Sequence, residues 1–295
     1  MHARTRRYDG IAQWVHKPRS ASGQSLASFD AFAIAAPGVA SLLADELRAL
    51  QVSIGEVSPA GVSFSATLEV LLRVNLWSRL ATRVVVRVAE FTARDFASLE
   101  KHSTRVPWTT MIAPGASVRF RVTCRKSRLY HSDAVAERIG RAVVGAVPSV
   151  TIHGRERDDE LSDGVADDGS ERVTTTAVDS QLIVVRFEHD RCTISIDSSG
   201  DLLHRRGWRQ AVAKAPLRET LAAAMLAACG WQGEVPLVDP FCGSGTIGIE
   251  GALLARNLAP GLTRRFSLER WPGVDAAWVA TQRGEARALA REAVG

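Results

Sequence analysis

The feature of this chain that most restricts its fold is a run of ten residues, LVDPFCGSGT, at positions 237–246. Its apolar start predicts a buried strand that ends at Asp239, and a glycine-rich turn then leads into a predicted helix over 246–257. Open α/β sheets build cofactor crevices in this way, at the carboxyl ends of their strands. Gly243 and Gly245 permit φ > 0 and a close approach of the backbone to a ligand. The run therefore predicts a Rossmann-like sheet with a cofactor-binding loop.

The residues around the glycines separate three classes of cofactor loop. A P-loop needs a Lys and a Ser or Thr directly after its last glycine, whereas Thr246 and Ile247 follow Gly245 here, which argues against an NTPase. Residues 243–248 match the letters of the dinucleotide fingerprint, which also requires a strand ending in an acid about 20 residues on. Glu269 lies near that spacing, but its neighbours have little strand character. An NAD(P)-binding oxidoreductase therefore stays as the less favoured alternative.

The D-P-F-C-G-S-G-T form of the loop resembles the first motif of class I S-adenosylmethionine (SAM)-dependent methyltransferases. Four other segments extend the resemblance to the THUMP-domain RNA methyltransferases: DSSGDLLHRRGWR at 197–209, APLRETLAAA at 215–224, NLWSRLATRV at 75–84 and CRKSRLYH at 124–131. The chain is most similar to the bacterial group that methylates guanine N2 in 23S ribosomal RNA, with tRNA enzymes as relatives. The similarity covers roughly residues 30–278.

The resemblance implies SAM as the cofactor, held by the loop and by the helix after it. The implied cofactor-binding residues are Asp239, Pro240, Phe241, Cys242, Gly243, Ser244, Gly245, Thr246 and Glu250. For Glu250 two interpretations stay open: a solvated side chain, or one that faces the cofactor amino group. Arg205, Arg206 and Arg209 either brace a domain junction or contact RNA.

No catalytic residue is assigned, because the family grips its target base with an Asn-Pro-Pro-Tyr or -Phe motif. No Asn-Pro dipeptide occurs in the 295 residues. The expectation is a truncated, partial or split methyltransferase that does not transfer methyl groups by itself. The alternative is an RNA-binding THUMP protein without catalytic activity.

Charge distribution predicts where RNA binds. The net charge is +5, and residues 117–145 contain seven Arg or Lys against two Asp or Glu. On a predicted strand over 118–125, basic residues alternate with apolar ones, and a basic loop with two aromatic rings follows. Basic groups bind phosphates, and aromatic rings stack on unpaired bases. The predicted RNA-binding residues are Arg119, Arg121, Arg125, Lys126, Arg128, Tyr130 and His131.

Composition argues against other classes of protein. No apolar run approaches the ~20 residues of a membrane span, so no membrane partner is expected. Four cysteines, at 124, 192, 229 and 242, show no metal-ligand or disulfide spacing, which is typical of a protein from the reducing cytoplasm. No metal site is predicted.

The predicted fold class is an α+β ferredoxin-like and THUMP region followed by the start of an α/β Rossmann-like methyltransferase domain. The predicted boundaries are a flexible basic arm over 1–28, a small α+β unit over 29–70, a THUMP-like RNA-binding domain over 71–190 and an incomplete methyltransferase domain over 191–295. Periodicity predicts helices over 37–50, 68–82 and 216–229, a strand over 84–91 and a hairpin of 182–187 with 192–196. The acidic stretch 155–172 is predicted to be a solvated insertion.

Overall fold

The computed structural model describes residues 28–155, 180–208 and 217–291. The predicted basic arm and acidic insertion lie outside these residues, except for Ser28 and Arg155. The strands are β1 (Phe29–Ala35), β2 (Ile54–Ser58), β3 (Gly61–Ala66), β4 (Ala81–Thr92), β5 (Ser117–Arg125), β6 (Thr151–Arg155), β7 (Ser180–Glu188) and β8 (Arg191–Asp197). The helices are α1 (Ala40–Ala49), α2 (Leu68–Trp77), α3 (Phe96–Ser103), α4 (Ser132–Ala146), α5 (Glu219–Ala228), α6 (Thr246–Ala255) and α7 (Ala276–Ala288), with 3₁₀ turns at Trp108–Thr110 and Ser267–Arg270.

The described residues form two compact units. The first comprises those within Met1–Val84, Asp201–Arg265 and Asp275–Gly295. Its amino-terminal part runs β1-α1-β2-β3-α2 and then enters β4, and its strands lie in the order β2-β3-β1-β4. This βαββαβ arrangement is the ferredoxin-like fold. Helices α5 and α6 pack on each other, and α5 also contacts α1.

The second unit comprises the described residues of Val85–Gly200 and Phe266–Val274. Its strands lie in the order β4-β8-β7-β5-β6, and β5 runs parallel to both β6 and β7. The predicted hairpin is confirmed as β7 and β8, joined through His189 (φ 51°) and Asp190 (φ 63°). Two consecutive left-handed residues are the requirement of a type I′ turn, whose twist matches that of paired strands.

The predicted helix over 68–82 is wrong in its end, because α2 stops at Trp77. Ser78 has extended φ/ψ, and its Oγ donates to Glu46 Oε2 at 2.6 Å. The N–H of Arg79 donates to the same carboxylate at 2.9 Å. Leu80 is buried as the helical period requires, yet it lies in this turn. A side chain from α1 thus ends the helix by offering the backbone other acceptors.

The predicted buried strand before the glycine-rich loop is also wrong. Residues 234–239 have no strand partner among the described residues, and Val235, Leu237 and Val238 are 62%, 36% and 81% exposed. A strand forms only where a neighbour accepts and donates its backbone hydrogen bonds. The helix after the loop is present, although α6 ends at Ala255 rather than at the predicted residue 257.

Candidate functional site

The glycine-rich loop makes a tight turn at the start of α6. The N–H of Phe241 donates to Asp239 Oδ1 at 3.2 Å, and the N–H of Gly245 donates to Cys242 O at 2.7 Å. Gly243 and Gly245 are left-handed, with φ of 51° and 72°, and Gly245 is the N-cap of α6. The loop therefore depends on two residues without Cβ atoms, as the sequence predicts.

The loop is open to solvent on the side that a ligand would approach. Phe241 is 93% exposed, Pro240, Cys242, Gly243 and Ser244 are exposed, and Asp239 and Gly245 are half-buried. Thr246, by contrast, is 2% exposed, and its Oγ1 lies 3.1 Å from Ser244 Oγ.

The shape of the loop fits a small cofactor. Among the described residues, apart from the adjoining residues and the backbone of α6 itself, no heavy atom lies within 4 Å of the position that a Cβ would take at Gly243 or Gly248. A ligand can thus reach the backbone there. The first N–H groups of a helix also lack acceptors within the helix and attract negative charge, so the start of α6 suits the carboxylate of an amino-acid group such as the methionine end of SAM.

The structure places Glu250 away from solvent, on the packed side of α6. Its side chain is fully buried and forms ion pairs with Arg206 (Nε to Oε1, 3.3 Å) and Arg79 (Nη1 to Oε2, 3.8 Å). Arg206 and Arg79 are 3% and 5% exposed. Of the two interpretations left open by the sequence, the solvated side chain is excluded. Arg79 was not a predicted site residue, although it lies in the segment NLWSRLATRV that contributes to the family resemblance.

His204 is another buried polar residue of the first unit. Burial, together with the positive charges of Arg205, Arg218, Arg206 and Arg264, lowers the pKa of His204 to about 3. The imidazole is therefore neutral at physiological pH.

The predicted RNA-binding residues divide into two groups in the second unit. Arg125, Lys126, Arg128, Tyr130 and His131 are all exposed and follow one another at the end of β5. The rings of Tyr130 and His131 lie 4.0 Å apart between centroids. The other two residues are on β5 itself, where Arg119 is half-buried and Arg121 is only 7% exposed. Arg121, one of the predicted RNA-binding residues, is therefore buried within the fold rather than exposed to solvent.

A contact with the β7–β8 turn holds the basic loop in place. The N–H of Arg128 donates to Asp190 Oδ1 at 2.8 Å, and the N–H of Asp190 donates to Ser127 Oγ at 3.0 Å. The side chain of Arg94 is 64% exposed, and its Nε lies 3.4 Å from Asp190 Oδ2. Arg94 thus adds another cation to this end of the sheet. Sequence reasoning missed both Arg94 and Asp190, because strands distant in sequence bring them to the loop.

Neither a membrane span nor a metal site is found within residues 28–155, 180–208 and 217–291. No helix there is long and apolar enough to cross a membrane. No group of three or more His, Cys, Asp or Glu side chains in the same ranges could hold a metal ion.

Comparison with known proteins decides the family. A family model described as "RMKL-like, methyltransferase domain" matches residues 206–294, and one described as "RlmL ferredoxin-like domain" matches residues 30–85. The crystal structure of a predicted N6-adenine-specific DNA methylase from Listeria monocytogenes is 31% identical with a TM-score of 0.74, and the alignment covers 93% of this chain and 67% of that one. The chain belongs to the RMKL-like methyltransferase family. The predicted THUMP-class SAM-dependent family and the fold class, ferredoxin-like followed by Rossmann-like, are thereby confirmed.

Two other similar proteins differ from this chain in length or in bound ligand. The ribosomal RNA large subunit methyltransferase K/L of Syntrophotalea carbinolica is 40% identical over 80% of this chain, and the match spans 31% of that protein. A methyltransferase crystallised with S-adenosylhomocysteine (SAH) is 30% identical with a TM-score of 0.73, covering 90% of this chain and 66% of that one. The chain thus spans about a third of the length of curated relatives such as the first.

Proposed function

We propose that this chain supplies the SAM-binding loop and an RNA-binding surface of an enzyme that methylates guanine N2 in 23S ribosomal RNA. The observation that carries the proposal is the solvent-open turn at Gly243 and Gly245, placed at the start of α6 in a chain of the RMKL-like family. The names of relatives such as the Syntrophotalea carbinolica protein support ribosomal RNA as the substrate.

In this proposal the loop binds and orients the cofactor. Bound SAM would supply an electrophilic methyl group on its sulfonium. The N–H groups at the start of α6 would bind the carboxylate of the methionine end. Asp239 would hold the turn by accepting the N–H of Phe241, and Gly243 would let the backbone come close to the ligand. The contribution of these residues is therefore positioning for an in-line transfer.

The basic loop at the end of β5 would bind the RNA. Arg125, Lys126 and Arg128 are exposed cations and would contact phosphates. Tyr130, which is 67% exposed, and its neighbour His131 would offer ring surface to an unpaired base. An amino group of guanine becomes accessible only when its base is unpaired or extruded, so single-stranded or looped RNA is the expected target.

Isothermal titration calorimetry with SAH tests the cofactor part. The full chain should bind SAH and should not bind NAD⁺, which is the ligand of the alternative oxidoreductase. Binding of NAD⁺ instead would refute the assignment. If neither ligand binds but ribosomal RNA does, the chain is the RNA-binding protein without catalytic activity.

Identifying the target base requires an experiment in cells, because the Asn-Pro motif with which the family grips its base is absent from the sequence. We propose disruption of the gene in its source organism, followed by mass spectrometry of nucleosides from 23S ribosomal RNA and from DNA. Loss of N2-methylguanosine from the RNA, restored by a plasmid copy of the gene, supports the proposal. Loss of N6-methyladenine from DNA would favour the activity named for the Listeria monocytogenes relative.

A further inference from the structure

Helix α6, which carries the cofactor loop at its start, is anchored by a buried ion-pair cluster. Glu250 lies in the middle of α6 and is fully buried between Arg79 and Arg206. Arg79 belongs to the ferredoxin-like match (residues 30–85), whereas Arg206 and Glu250 belong to the methyltransferase match (residues 206–294). The cluster therefore joins two parts of the chain that match two different family models.

Arg79 also contacts the carboxyl end of the same helix and the segment after it. Its Nη2 donates to Leu253 O, in the last turn of α6, at 3.3 Å, and to Leu258 O, three residues beyond the helix, at 2.5 Å. The last carbonyls of a helix lack partners within the helix, and a cation there also interacts favourably with the helix dipole. One arginine thus pairs with the carboxylate in the middle of α6, and it also donates to one carbonyl in the last turn of the helix and to one just after it.

Arg79 itself is held from both sides. Its N–H donates to Glu46 Oε1 at 2.9 Å, and its carbonyl oxygen accepts from Arg206 Nη2 at 2.7 Å. Arg206 also donates through Nη1 to Leu203 O at 2.7 Å. The backbone at Arg79 is therefore immobilised by groups from α1 and from the first residue of the methyltransferase match.

From these contacts we infer that Arg79 and Glu250 are positioning residues for the cofactor loop. They fix α6 against the ferredoxin-like domain, and α6 in turn fixes Gly245 as its N-cap, since Ile249 N donates to Gly245 O at 2.9 Å. The ferredoxin-like domain is then a structural part of the cofactor site. The effect on cofactor affinity rests on the proposed function; the effect on α6 does not.

The test compares Glu250→Gln, Arg79→Gln and the double variant in the full chain. Glu250→Gln leaves two buried arginines without their carboxylate, which destabilises a protein strongly, whereas the double variant leaves only Arg206 without it, and Arg79→Gln keeps the pair of Glu250 with Arg206. We therefore expect the double variant to be more stable than Glu250→Gln. We expect its SAH affinity to stay reduced by about tenfold or more, because the helix has lost its anchor.

A matched control separates positioning from general destabilisation. Val62→Ala removes two methyl groups from a fully buried site in β3 and lowers stability without touching the cluster. Val62→Ala should bind SAH with wild-type affinity. If the double variant also regains wild-type affinity along with its stability, or if Val62→Ala loses affinity to the same extent, the inference is wrong.

Hydrogen exchange provides a readout that does not depend on the cofactor. Without ligand, amides of residues 245–255 should exchange faster in the double variant than in Val62→Ala at equal global stability. Equal exchange in the two variants would refute the anchoring. If the wild-type chain does not bind SAH, the proposed function fails, and the exchange comparison still decides the anchoring.

Discussion

Leu237 packs directly against the backbone of Gly251 in α6. A Cβ at Gly251 would lie 2.7 Å from Leu237 Cδ2 and 3.4 Å from the Trp231 ring. Leu237 is 36% exposed, so its side chain has room to move, whereas the indole donates from Nε1 to Val235 O at 2.9 Å. This contact is where the segment before the cofactor loop meets the helix after it.

The contact predicts how substitutions of Gly251 affect stability. Gly251→Ala should be close to neutral, because the gain in helix propensity offsets a shift of Leu237. Gly251→Val should destabilise the chain by about 1–3 kcal/mol, since its branched side chain also meets Trp231. Urea unfolding measures both, and Leu237→Ala should recover part of the stability in a double-mutant cycle. If Gly251→Val lowers stability equally in the wild-type chain and in Leu237→Ala, the contact between Leu237 and Gly251 is contradicted.

Gly245→Val should abolish SAH binding. Because Gly245 has φ of 72°, a β-branched residue there costs about 1–2 kcal/mol in backbone strain. The cost does not come from a clash, since the nearest atom to the new Cβ is Ile249 Cδ1 at 3.9 Å. Gly115→Val is the matched control, because Gly115 has φ of 74° and open space around it in the second unit. Calorimetry should show no SAH binding for Gly245→Val and wild-type affinity for Gly115→Val. Wild-type affinity in Gly245→Val would contradict the assignment of this loop to the cofactor site.

Reversing Arg125 and Arg128 to Glu should weaken binding to 23S ribosomal RNA. Each arginine–phosphate interaction that the reversal removes should lower the slope of log K against log salt by about 0.7–0.9. The control reverses Arg105 and Arg141, two other exposed cations of the second unit, which carry the same change in net charge. Filter binding across a salt series gives both slopes. An identical weakening in the control would mean that only overall charge matters.

Acid should destabilise the chain through His204. Its pKa in the folded state is about 3, against a reference of 6.5, so between these values the unfolded state binds the extra proton. The contribution of neutral His204 to the free energy of unfolding is therefore complete above pH 6.5. As the pH falls from 6.5 to 3, this contribution decreases by at most about 1.4 kcal/mol for each pH unit. His204→Asn should unfold with a shallower pH dependence in urea between pH 7 and 4. The exposed His131→Asn is the control, and a wild-type slope in His204→Asn would contradict the assignment.

Much of this protein follows from local sequence alone. The order Asp239, Gly243, Gly245 predicts a turn with left-handed glycines at a helix start, because only glycine adopts that backbone without steric cost. Alternation predicts the β7–β8 hairpin, and the run of Arg125 to His131 predicts an exposed basic loop. Each of these features depends on residues close to one another in the chain.

Tertiary structure decided the features that depend on distant partners. Glu250 is buried because Arg79 lies beside it, and the contacts of Arg79 with α6 and the segment after it join residues up to 179 positions apart. Helix α2 ends at Trp77 because Glu46 offers acceptors to the next turn, and residues 234–239 form no strand because no described neighbour pairs with them. Periodicity reports which side of an element is apolar, but a hydrogen-bond or ion-pair partner is supplied only when the chain folds.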